Sequence, residues 1–517
     1  MESRTSPRHF FLCYTHFING LSYIGVTDLC FFIRTDGGES MDVSPFINKE
    51  ESSPIYLQLY HYFREQIESG RLASEAKLPS IRQLSQTLNI SKNTVELAYQ
   101  QLVAEGYIEG KEKKGYFVLK LDPFDFKHEP DLISSDASKN KELQKEKTFI
   151  DFHYGDIELS RFPIKSWKKC LIDALKDPNQ EVYSYGNRQG HKGLREEIAK
   201  YLFQARGVQC SANQIILTAG TQLAIQLLCQ LLSLRNTKVA MENPGYDGVR
   251  RTFESQHCEI VPISLEEDGI HMEELEKVSA SCAYVTPSHQ FPMGMVLPIH
   301  KRIKLLQWAQ KHSSYIIEDD YDSEFRYQGQ PIPSLKSLDT NGNVIYLGTF
   351  SKSFLPAARV SYVVLPDDLM KRFQAEFSFY NQSVSPLIQE ALFLFMRNGH
   401  FSRHIRKMRT IYQAKQQVLL EAIDKFLTGV TVIGQKAGLH LLLECGKVDA
   451  RKLLKQAETL GVKIYLTKQY WLGESPHSNQ SIIMGYGGLT EEEIQIGIQK
   501  LAMALKQAGR PSKFIQE

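Results

Sequence analysis

Seven apolar, β-rich runs separated by helical stretches are the feature that most constrains the fold of this chain. They follow Phe149 and read QIILTAG, KVAMENP, EIVPISL, SCAYVTPS, SYIIEDDYD, NVIYLGTFS and VSYVVLP. Short apolar runs that alternate with helices predict a mainly parallel sheet with helices on both faces, an α/β fold. In such a fold we expect the functional side chains at the strand ends.

A lysine in the turn after one of these runs is the candidate catalytic residue. Lys352 alone could be a solvated loop lysine, but the run YIIEDDYD places Asp319 and Tyr321 upstream, and Arg359 follows downstream. Strand side chains alternate, so Asp319 and Tyr321 share a face, whereas Asp320, the alternative carboxylate, points away. A lysine amine, a carboxylate for a ring nitrogen and a cation for a phosphate are the groups that pyridoxal phosphate (PLP) requires.

A second phosphate-binding element is predicted in LTAGTQLAIQLL, where a strand leads through Ala219–Gln222 into a helix. Backbone N–H groups and the Thr221 hydroxyl at a helix N-terminus form an anion site. One Gly-Thr turn is weak evidence by itself. In the same chain as Lys352 and Asp319 it supports a PLP site.

Three helices and a hairpin are predicted before these runs. The helices cover Pro54–Ser69, a segment that starts at Pro79, and Ser91–Glu105, with Tyr99 expected to face outward. YIEG and YFVLK flank the charged turn KEKKG and predict a β-hairpin. Two short helices joined by a tight turn describe a helix-turn-helix, and the hairpin is a wing whose Lys114 can contact phosphate.

Charge alone does not decide between a DNA-binding domain and a small packing domain with a solvated lysine turn. Residues 54–120 hold nine Lys or Arg against seven Asp or Glu. The whole chain has a formal net charge of +2, so a nucleic-acid surface has to be local.

The rest of the sequence predicts a cytoplasmic protein. Eight cysteines are dispersed with no C-x-x-C pair, which favours reduced thiols and no metal site. The apolar stretch 11–33 is interrupted by His16, Asn19 and Asp28, which disfavours a membrane anchor. Residues 1–40 read as an N-terminal extension, with Met41 the expected true start. Residues 121–148 are polar and read as a linker.

The segment from LPSIRQLSQTLNISKNTVELAYQQLVAEGYIEG to KEKKGYFV resembles the winged helix-turn-helix of GntR-type bacterial regulators. The resemblance implies double-stranded operator DNA as the partner and extends over a domain at 52–120. The candidate DNA-binding residues are Ser80, Arg82, Ser91, Lys92, Asn93, Thr94 and Lys114.

Residues 149–510 resemble a class I, fold-type I aminotransferase through AGTQ, ENPGY, TPSHQFPMG, EDDYDSEF and TFSKSFLPAARVSYVVLP. A GntR-type domain joined to such a domain is the arrangement of MocR-type regulators. The resemblance implies that Lys352 forms the internal aldimine with PLP, Asp319 pairs with the ring nitrogen, Tyr321 contacts the phenolic oxygen and Tyr246 stacks on the ring. The candidate cofactor-binding residues are Gly220, Thr221, Gln222, Tyr246, His289, Asp319, Tyr321, Thr349, Ser351, Lys352 and Arg359.

Two positions depart from ordinary aminotransferases. His289 stands where asparagine is common, and Ile483, in SIIMGYGGL, stands where an arginine usually holds the substrate carboxylate. Arg403, Arg406 or Arg409 could instead reach the site.

These features favour a PLP-dependent, DNA-binding transcriptional regulator that senses PLP or an amino compound through an aldimine at Lys352. An active aminotransferase, passing an amino group between an amino compound and a 2-oxo acid, is the alternative, and Ile483 argues against it. A remnant domain without cofactor is disfavoured by the complete set of site residues. The resemblance to class I aminotransferases also implies a homodimer.

Overall fold

The computed structural model describes residues 53–120, 149–176, 181–327, 332–377, 379–446, 448–473 and 481–509, and the backbone of two strands at 32–34 and 40–42. The predicted linker at 121–148 and, apart from those strands, the predicted extension at 1–40 lie outside the described residues. The chain divides into two compact units, residues 1–142 and 143–517.

The N-terminal unit has the helices and the wing that its sequence predicts. In chain order its elements are β1 (Phe32–Arg34), β2 (Ser40–Asp42), α1 (Ile55–Glu68), α2 (Ile81–Thr87), α3 (Lys92–Ala104), β3 (Ile108–Lys111) and β4 (Gly115–Val118). Strands β1 and β2 pair antiparallel, as do β3 and β4. Leu59 and Phe63 of α1 pack with Val95, Ala98 and Leu102 of α3, and this apolar seam is the core of the domain.

The prediction that Tyr99 faces outward is wrong. Tyr99 is fully buried, its hydroxyl donates to the Pro79 carbonyl at 2.9 Å, and its ring contacts Phe63 and Tyr116 edge to face. The tyrosine joins helix α3 to the segment before α2 and to the wing. The hairpin thus covers the face of α3 that carries Tyr99. The periodicity of a single helix cannot predict this burial, because the hairpin lies elsewhere in the sequence.

The strands of the second unit include all seven of the predicted runs. In chain order they are β5 (Ile150–Asp151), β6 (Ile215–Thr218), β7 (Lys238–Asn243), β8 (Glu259–Glu266), β9 (Gly269–Ile270), β10 (Cys282–Val285), β11 (Tyr315–Asp320), β12 (Val344–Thr349), β13 (Ser361–Val364), β14 (Thr431–Ile433), β15 (His440–Glu444), β16 (Val462–Lys463), β17 (Tyr465–Leu466) and β18 (Ser481–Gly485).

The helices of this unit cover both faces of its large sheet and one face of a smaller sheet. They are α4 (Ile164–Ala174), α5 (Lys192–Arg206), α6 (Thr221–Leu231), α7 (Asp247–Ser255), α8 (Met272–Glu276), α9 (Ile299–His312), α10 (Phe350–Ser353), α11 (Asp367–Glu376), α12 (Pro386–Arg397), α13 (His400–Phe426), α14 (Ala450–Thr459) and α15 (Glu491–Ala508). Among the helices described, none is long and apolar enough to cross a bilayer.

The large sheet has eight strands in the order β6-β13-β12-β11-β10-β7-β8-β9. Its central strands run parallel, and β13 runs antiparallel to both β12 and β6. Ile317 and Leu347 face one side of the sheet, toward α6 and α7, while Ile316 and Val344 face the other, toward Trp308 of α9. The carboxyl ends of β6, β7, β10, β11 and β12 therefore meet at one edge of the sheet.

The smaller sheet is antiparallel, with the order β14-β15-β18-β17. It packs on α13, α14 and α15 around a second core that includes Leu441, Ile482 and Ile498. Of its strands only β18 was predicted, from SIIMGYGGL. Strand β5, at the start of the second unit, pairs in parallel with β16, which follows α14.

Candidate functional site

A cavity of about 200 Å³ opens at the edge where the carboxyl ends of the parallel strands meet. Every residue that the sequence predicts for cofactor binding lines it, except His289. The lining residues are Tyr154, Gly220, Thr221, Gln222, Tyr246, Tyr284, Thr286, Phe291, Asp319, Tyr321, Asp322, Thr349, Ser351, Lys352, Arg359, Leu439 and His440.

Lys352 lies in the short helix α10, directly after strand β12. Its Nζ donates a hydrogen bond to the Tyr154 carbonyl at 2.5 Å and lies 5.6 Å from the centre of the Tyr154 ring. Burial disfavours the charged ammonium and lowers the pKa of Lys352 to about 8. At pH 7 about a tenth of this amine is therefore neutral and nucleophilic, a far larger fraction than for a lysine with the ordinary pKa of about 10.4.

Asp319 presents a carboxylate to the cavity that the protein satisfies only in part. Its Oδ2 accepts a hydrogen bond from the Tyr284 hydroxyl at 2.5 Å, whereas its buried Oδ1 has no hydrogen-bond partner. Burial raises the pKa of Asp319 to about 7. A buried polar atom without a partner costs free energy, so this oxygen is ready to accept a proton donor from a ligand.

The neighbouring Asp320 has a different environment. Its Oδ2 accepts hydrogen bonds from Arg206 Nε at 2.7 Å and from the Tyr346 hydroxyl at 2.6 Å. The alternation of strand β11 thus directs Asp319 into the cavity and Asp320 to the opposite face of the sheet.

Gly220 and Arg359 lie together at one end of the cavity, the end for which the sequence predicts phosphate binding. Gly220 precedes helix α6 with a φ of 111°, and a Cβ at this position would lie 2.3 Å from Arg359 Nη2. Arg359 itself has a φ of 51°, and its Nη2 donates to the Ala219 carbonyl at 3.4 Å. The absence of a side chain at Gly220 therefore lets a guanidinium approach the free N–H groups at the start of α6, where Thr221 and Gln222 lie.

Hydroxyl groups after strand β12 complete this end. Thr349 Oγ1 accepts hydrogen bonds from the Ser351 backbone N–H at 3.2 Å and from the Ser361 hydroxyl at 2.8 Å. The Thr349 hydroxyl donates in turn to Ser351 Oγ at 3.1 Å. These contacts fix the turn that carries Lys352.

His289 lies behind the cavity wall and is joined to the cavity through Tyr321. The Tyr321 hydroxyl donates to the His289 carbonyl at 3.0 Å, and His289 Nδ1 lies 2.9 Å from Asp322 Oδ2. Its other nitrogen, Nε2, is buried without a partner. The contact with Tyr321 gives His289 a route to influence the site without lining it.

His440 brings the smaller sheet into the site. Its Nε2 hydrogen-bonds the Pro292 carbonyl at 3.1 Å, and burial lowers the pKa of His440 to about 3. A carbonyl only accepts, so Nε2 carries the proton and Nδ1 of the neutral ring is an acceptor. Potential ligand atoms of His289, Asp322 and His440 lie within 4.8 Å of one another, a cluster of metal-binding side-chain types that the sequence did not predict.

In the N-terminal unit, two serines begin the helices of the helix-turn-helix. Ser80 Oγ accepts from the Gln83 N–H at 3.2 Å, and Ser91 Oγ accepts from the Thr94 N–H at 3.1 Å. These N-caps satisfy backbone donors at the starts of α2 and α3. Ser91 and Thr94 also share a hydrogen bond of 2.8 Å between their hydroxyls.

The other candidate DNA contacts are free of the core. Arg82, Lys92 and Asn93 are exposed on the first turns of α2 and α3, and Lys114 is exposed at the tip of the wing. Four side chains that can hydrogen-bond or carry positive charge are therefore available on the described surface of this unit.

Two families match this chain. Residues 147–501 match the family described as aminotransferase class I and II, and residues 55–118 match bacterial regulatory proteins of the gntR family. The probable rhizopine catabolism regulatory protein MocR of Rhizobium meliloti is 32% identical over 89% of this chain and 95% of its own length. This chain belongs to the MocR-type regulators. The predicted family and fold class are confirmed.

A further relative and two solved structures agree with this assignment. The uncharacterized HTH-type transcriptional regulator YdeL of Bacillus subtilis (strain 168) is 41% identical over 90% of this chain and all of its own length. An archaeal alanine:glyoxylate aminotransferase superimposes with a TM-score of 0.65 at 25% identity, over 71% of this chain and 92% of its own. Pyrococcus horikoshii kynurenine aminotransferase gives 0.64 at 24% identity, over 73% and 96%, and shows the fold.

This MocR-type chain lacks the arginine expected on its C-terminal strand. Ile483 of β18 is fully buried beside Phe291 and Leu442. The suggested substitutes do not line the cavity: Arg409 donates to the Glu324 carbonyl at 2.9 Å, and Arg403 bonds back to the start of its own helix, α13. Arg406 is exposed on the same helix and also lies outside the lining.

Several lining residues were missed by the sequence analysis. Tyr284 could have been found, because β10 pairs in parallel with β11 so that Tyr284 lies opposite Ile317, on the face that Asp319 shares. Tyr154 and His440 come from the start of the unit and from the smaller sheet. No local sequence pattern predicts that residues so far apart in the chain contribute to one site.

Proposed function

We propose that this protein is a PLP-dependent, DNA-binding transcriptional regulator of the MocR type that senses PLP or an amino compound at Lys352. PLP occupies the cavity at the carboxyl ends of the parallel strands, and Lys352 is its attachment point. When bound, PLP supplies an electrophilic carbon for amines and a ring that withdraws electrons. The winged helix-turn-helix binds operator DNA, and the state of the PLP site determines how well it does so.

The observation that carries the proposal is the unpartnered, buried Oδ1 of Asp319 in a cavity that the Lys352 amine also lines. The same cavity contains the cradle, our name for Gly220 and the Arg359 guanidinium beside it. A protonated ring nitrogen satisfies that oxygen, and a phosphate suits the cradle at the start of α6. Tyr246 is proposed to cover the ring, and Tyr321 is proposed to contact its phenolic oxygen, with its hydroxyl turned away from the His289 carbonyl. The residues proposed for the phosphate are Gly220, Thr221, Gln222, Thr349, Ser351 and Arg359.

Relatives support the cofactor and its regulatory use. A regulator described as controlling pyridoxine biosynthesis, PdxR of Corynebacterium glutamicum, is 27% identical over 90% of this chain and 99% of its own length. The kynurenine aminotransferase structure is described as a complex with PMP. Both connect this architecture to vitamin B6 compounds.

The DNA-binding part of the proposal rests on the exposed first turn of α3. In a helix-turn-helix the N-terminal residues of the recognition helix contact base edges. Ser80, Arg82, Ser91, Lys92, Asn93, Thr94 and Lys114 are the proposed contacts. The aminotransferase-like domain suggests a homodimer, which would carry two winged helix-turn-helix domains and suit an operator with a repeated sequence. We propose that the protein acts in the cytoplasm.

The proposal is tested on the purified full-length chain. It is expected to be yellow, and borohydride reduction is expected to fix a phosphopyridoxyl group on the peptide that contains Lys352, as mass spectrometry would show. Lys352→Ala is expected to abolish both signals, while Lys311→Ala, at an exposed lysine outside the cavity, leaves both unchanged. A colourless protein that added PLP does not reconstitute contradicts the proposal.

An active aminotransferase is a second candidate, because the set of residues that PLP requires is complete in the cavity. Sustained formation of keto acid over many turnovers from an amine donor would establish it. The buried Ile483, in place of a carboxylate-binding arginine, makes the regulatory role the better supported one.

A further inference from the structure

The charges that line the cavity indicate which effectors it accepts. Within the described residues, Lys352 and Arg359 are the cationic side chains of the lining. The proposed function assigns Lys352 to cofactor attachment and Arg359, beside Gly220, to the phosphate. With the cofactor bound, neither cation is left to pair with a carboxylate of the effector.

A carboxyl group also lines the cavity. Asp322 lines the cavity with a side chain that is only 3% exposed, and its Oδ2 lies 2.9 Å from His289 Nδ1. An effector carboxylate entering here meets the Asp322 carboxyl group, and neither Lys352 nor Arg359 is left to pair with it. Burying a charge without a partner is unfavourable, so a ligand that carries a carboxylate binds more weakly than one that lacks it.

Tyr154, Phe291 and His440 form an aromatic wall of the cavity, and Tyr470 packs behind it. Phe291 has its ring centre 5.3 Å from Tyr154, 4.9 Å from Tyr470 and 5.4 Å from His440. Ile483 belongs to the same cluster and is fully buried in it. This wall suits an apolar or aromatic ligand tail, which gains free energy by leaving water.

His440 adds an acceptor to that wall. Its Nε2–H is used by the Pro292 carbonyl, so the remaining Nδ1 of the neutral ring accepts hydrogen bonds and does not donate. An ammonium or hydroxyl group can use this nitrogen. A carboxylate, which only accepts, cannot.

We infer that the effector of this site is a primary amine with an apolar or aromatic tail and no carboxylate. The inference rests on the proposed function and specifies its ligand class. Phe291 and Tyr154 contact the tail, and Asp322 and His440 exclude acidic groups by offering only acceptors.

The test uses the full-length protein loaded with PLP and matched ligand pairs that differ by one carboxylate. Phenethylamine is compared with phenylalanine, and isopentylamine with leucine. Binding is read from the change in the visible absorbance of the protein and, separately, from operator affinity by fluorescence anisotropy. We expect the amine of each pair to bind about tenfold or more tightly than its amino acid.

Amino acids that bind as tightly as their amines, or tighter, overturn the inference. This includes the case in which a second copy of the chain supplies a cation. A visible band that no amine perturbs overturns it as well. Absence of a visible band in protein supplied with PLP is a different result, because it contradicts the proposed cofactor itself.

Ile483→Arg tests the cause of the preference. A guanidinium at this position of β18 is expected to improve amino-acid binding and to narrow or reverse the preference within each pair, while Ile483→Met, similar in volume and uncharged, keeps the wild-type preference. If Ile483→Arg does not fold, the comparison of amine and amino acid binding to the wild-type protein still tests the inference. A folded Ile483→Arg with the wild-type preference counts against the inference.

Discussion

Two adjacent carboxylates of strand β11 have opposite roles at the scale of single residues. Asp319 and Asp320 are both buried with Oδ1 unpartnered, but Asp320 forms an ion pair with Arg206 at 2.7 Å, whereas Asp319 has a tyrosine hydroxyl as its partner and no cation. Both are nearly inaccessible to solvent, yet only the second has its charge compensated within the protein. The first is incomplete without a ligand, whereas the second belongs to the scaffold.

The two positions respond differently to the same substitution. Asp319→Asn is expected to change the free energy of unfolding of the cofactor-free protein by less than about 1 kcal/mol, because a buried charge without full compensation is removed. The same change weakens PLP binding about tenfold or more, through loss of a charge-assisted hydrogen bond. Urea unfolding and PLP titration measure the two effects.

Asp320→Asn serves as the matched control for that experiment. It leaves the buried Arg206 uncompensated and is expected to lower the free energy of unfolding by about 3 kcal/mol. Equal losses of stability at the two positions would contradict the assignment of Asp319 to the ligand.

Lys352 gives the site a dependence on pH. Burial lowers its pKa to about 8, so the neutral amine predominates above that pH and is lost below it. The rate at which PLP attaches to cofactor-free protein is expected to rise from about pH 6 to about pH 8 and then level off. An ordinary lysine, with a pKa of about 10.4, would keep gaining reactivity well above pH 8. Stopped-flow absorbance checks this, and a rate still rising tenfold per unit at pH 9 would contradict it.

At this scale the sequence predicts the residues whose chemistry is local in the chain. Asp319 and Tyr321 share a face because strands alternate, and Lys352 follows its strand directly. His440 was missed because it reaches the cavity from a separate sheet. Tyr99 was misplaced because the wing covers a helical face that a single-helix pattern leaves open.

At the scale of elements, helix α6 and the residue before it form the end of the cavity that is proposed to hold the phosphate. Gly220 has a φ of 111° and no room for a Cβ beside Arg359. Gly220→Ala is expected to displace the guanidinium and to weaken PLP binding by about tenfold or more, as measured by titration of cofactor-free protein.

The control for that change is Gly399→Ala, between α12 and α13. Gly399 also has a positive φ, 71°, but an added Cβ meets nothing within 4 Å. It is expected to cost about 1 kcal/mol of stability through backbone strain alone, with PLP affinity unchanged. A similar loss of PLP affinity in both variants would show that strain, and not the cradle, is responsible.

The recognition helix α3 supports a prediction of its own. Asn93 is exposed on its first turn, and Asn93→Ala is expected to weaken operator binding by about 1–3 kcal/mol with little change in stability. Gln100→Ala, an exposed change further along the same helix, is expected to leave affinity unchanged, because only the N-terminal end reaches the bases. Electrophoretic mobility shifts measure both, and equal affinities for Asn93→Ala and wild type would contradict the contact.

Elements were predictable where the sequence pattern is long and apolar. All seven of the apolar runs after Phe149 form strands of the large sheet, because continuous apolar runs such as VSYVVLP suit strands buried on both faces. The antiparallel direction of β13 was not predicted, since pairing direction depends on how the chain returns and not on the strand's composition. Short strands such as β14 and β17 lack a pattern of their own and form by pairing with β15 and β18.

The whole molecule joins two units that have separate cores, residues 1–142 and 143–517. The proposed function gives these units one site each, one for DNA and one for a small ligand. Neither site contains a residue of the other. Regulation therefore requires that the ligand bind two states of the protein with different affinities.

That requirement leads to a quantitative prediction for the full chain. If an amine changes operator affinity by some factor, operator DNA has to change amine affinity by the same factor, because the coupling free energy belongs to both. We expect a factor of about 5 to 150. Anisotropy at saturating amine gives the first factor, and absorbance titrations with and without operator give the second. Lys352→Ala is expected to keep DNA binding, since its winged helix-turn-helix is intact. It is expected to lose the coupling between amine binding and operator binding, since its cavity has no lysine to which PLP can attach. Two factors that disagree beyond error, or coupling that survives in Lys352→Ala, would show that the cavity at Lys352 is not where the signal begins.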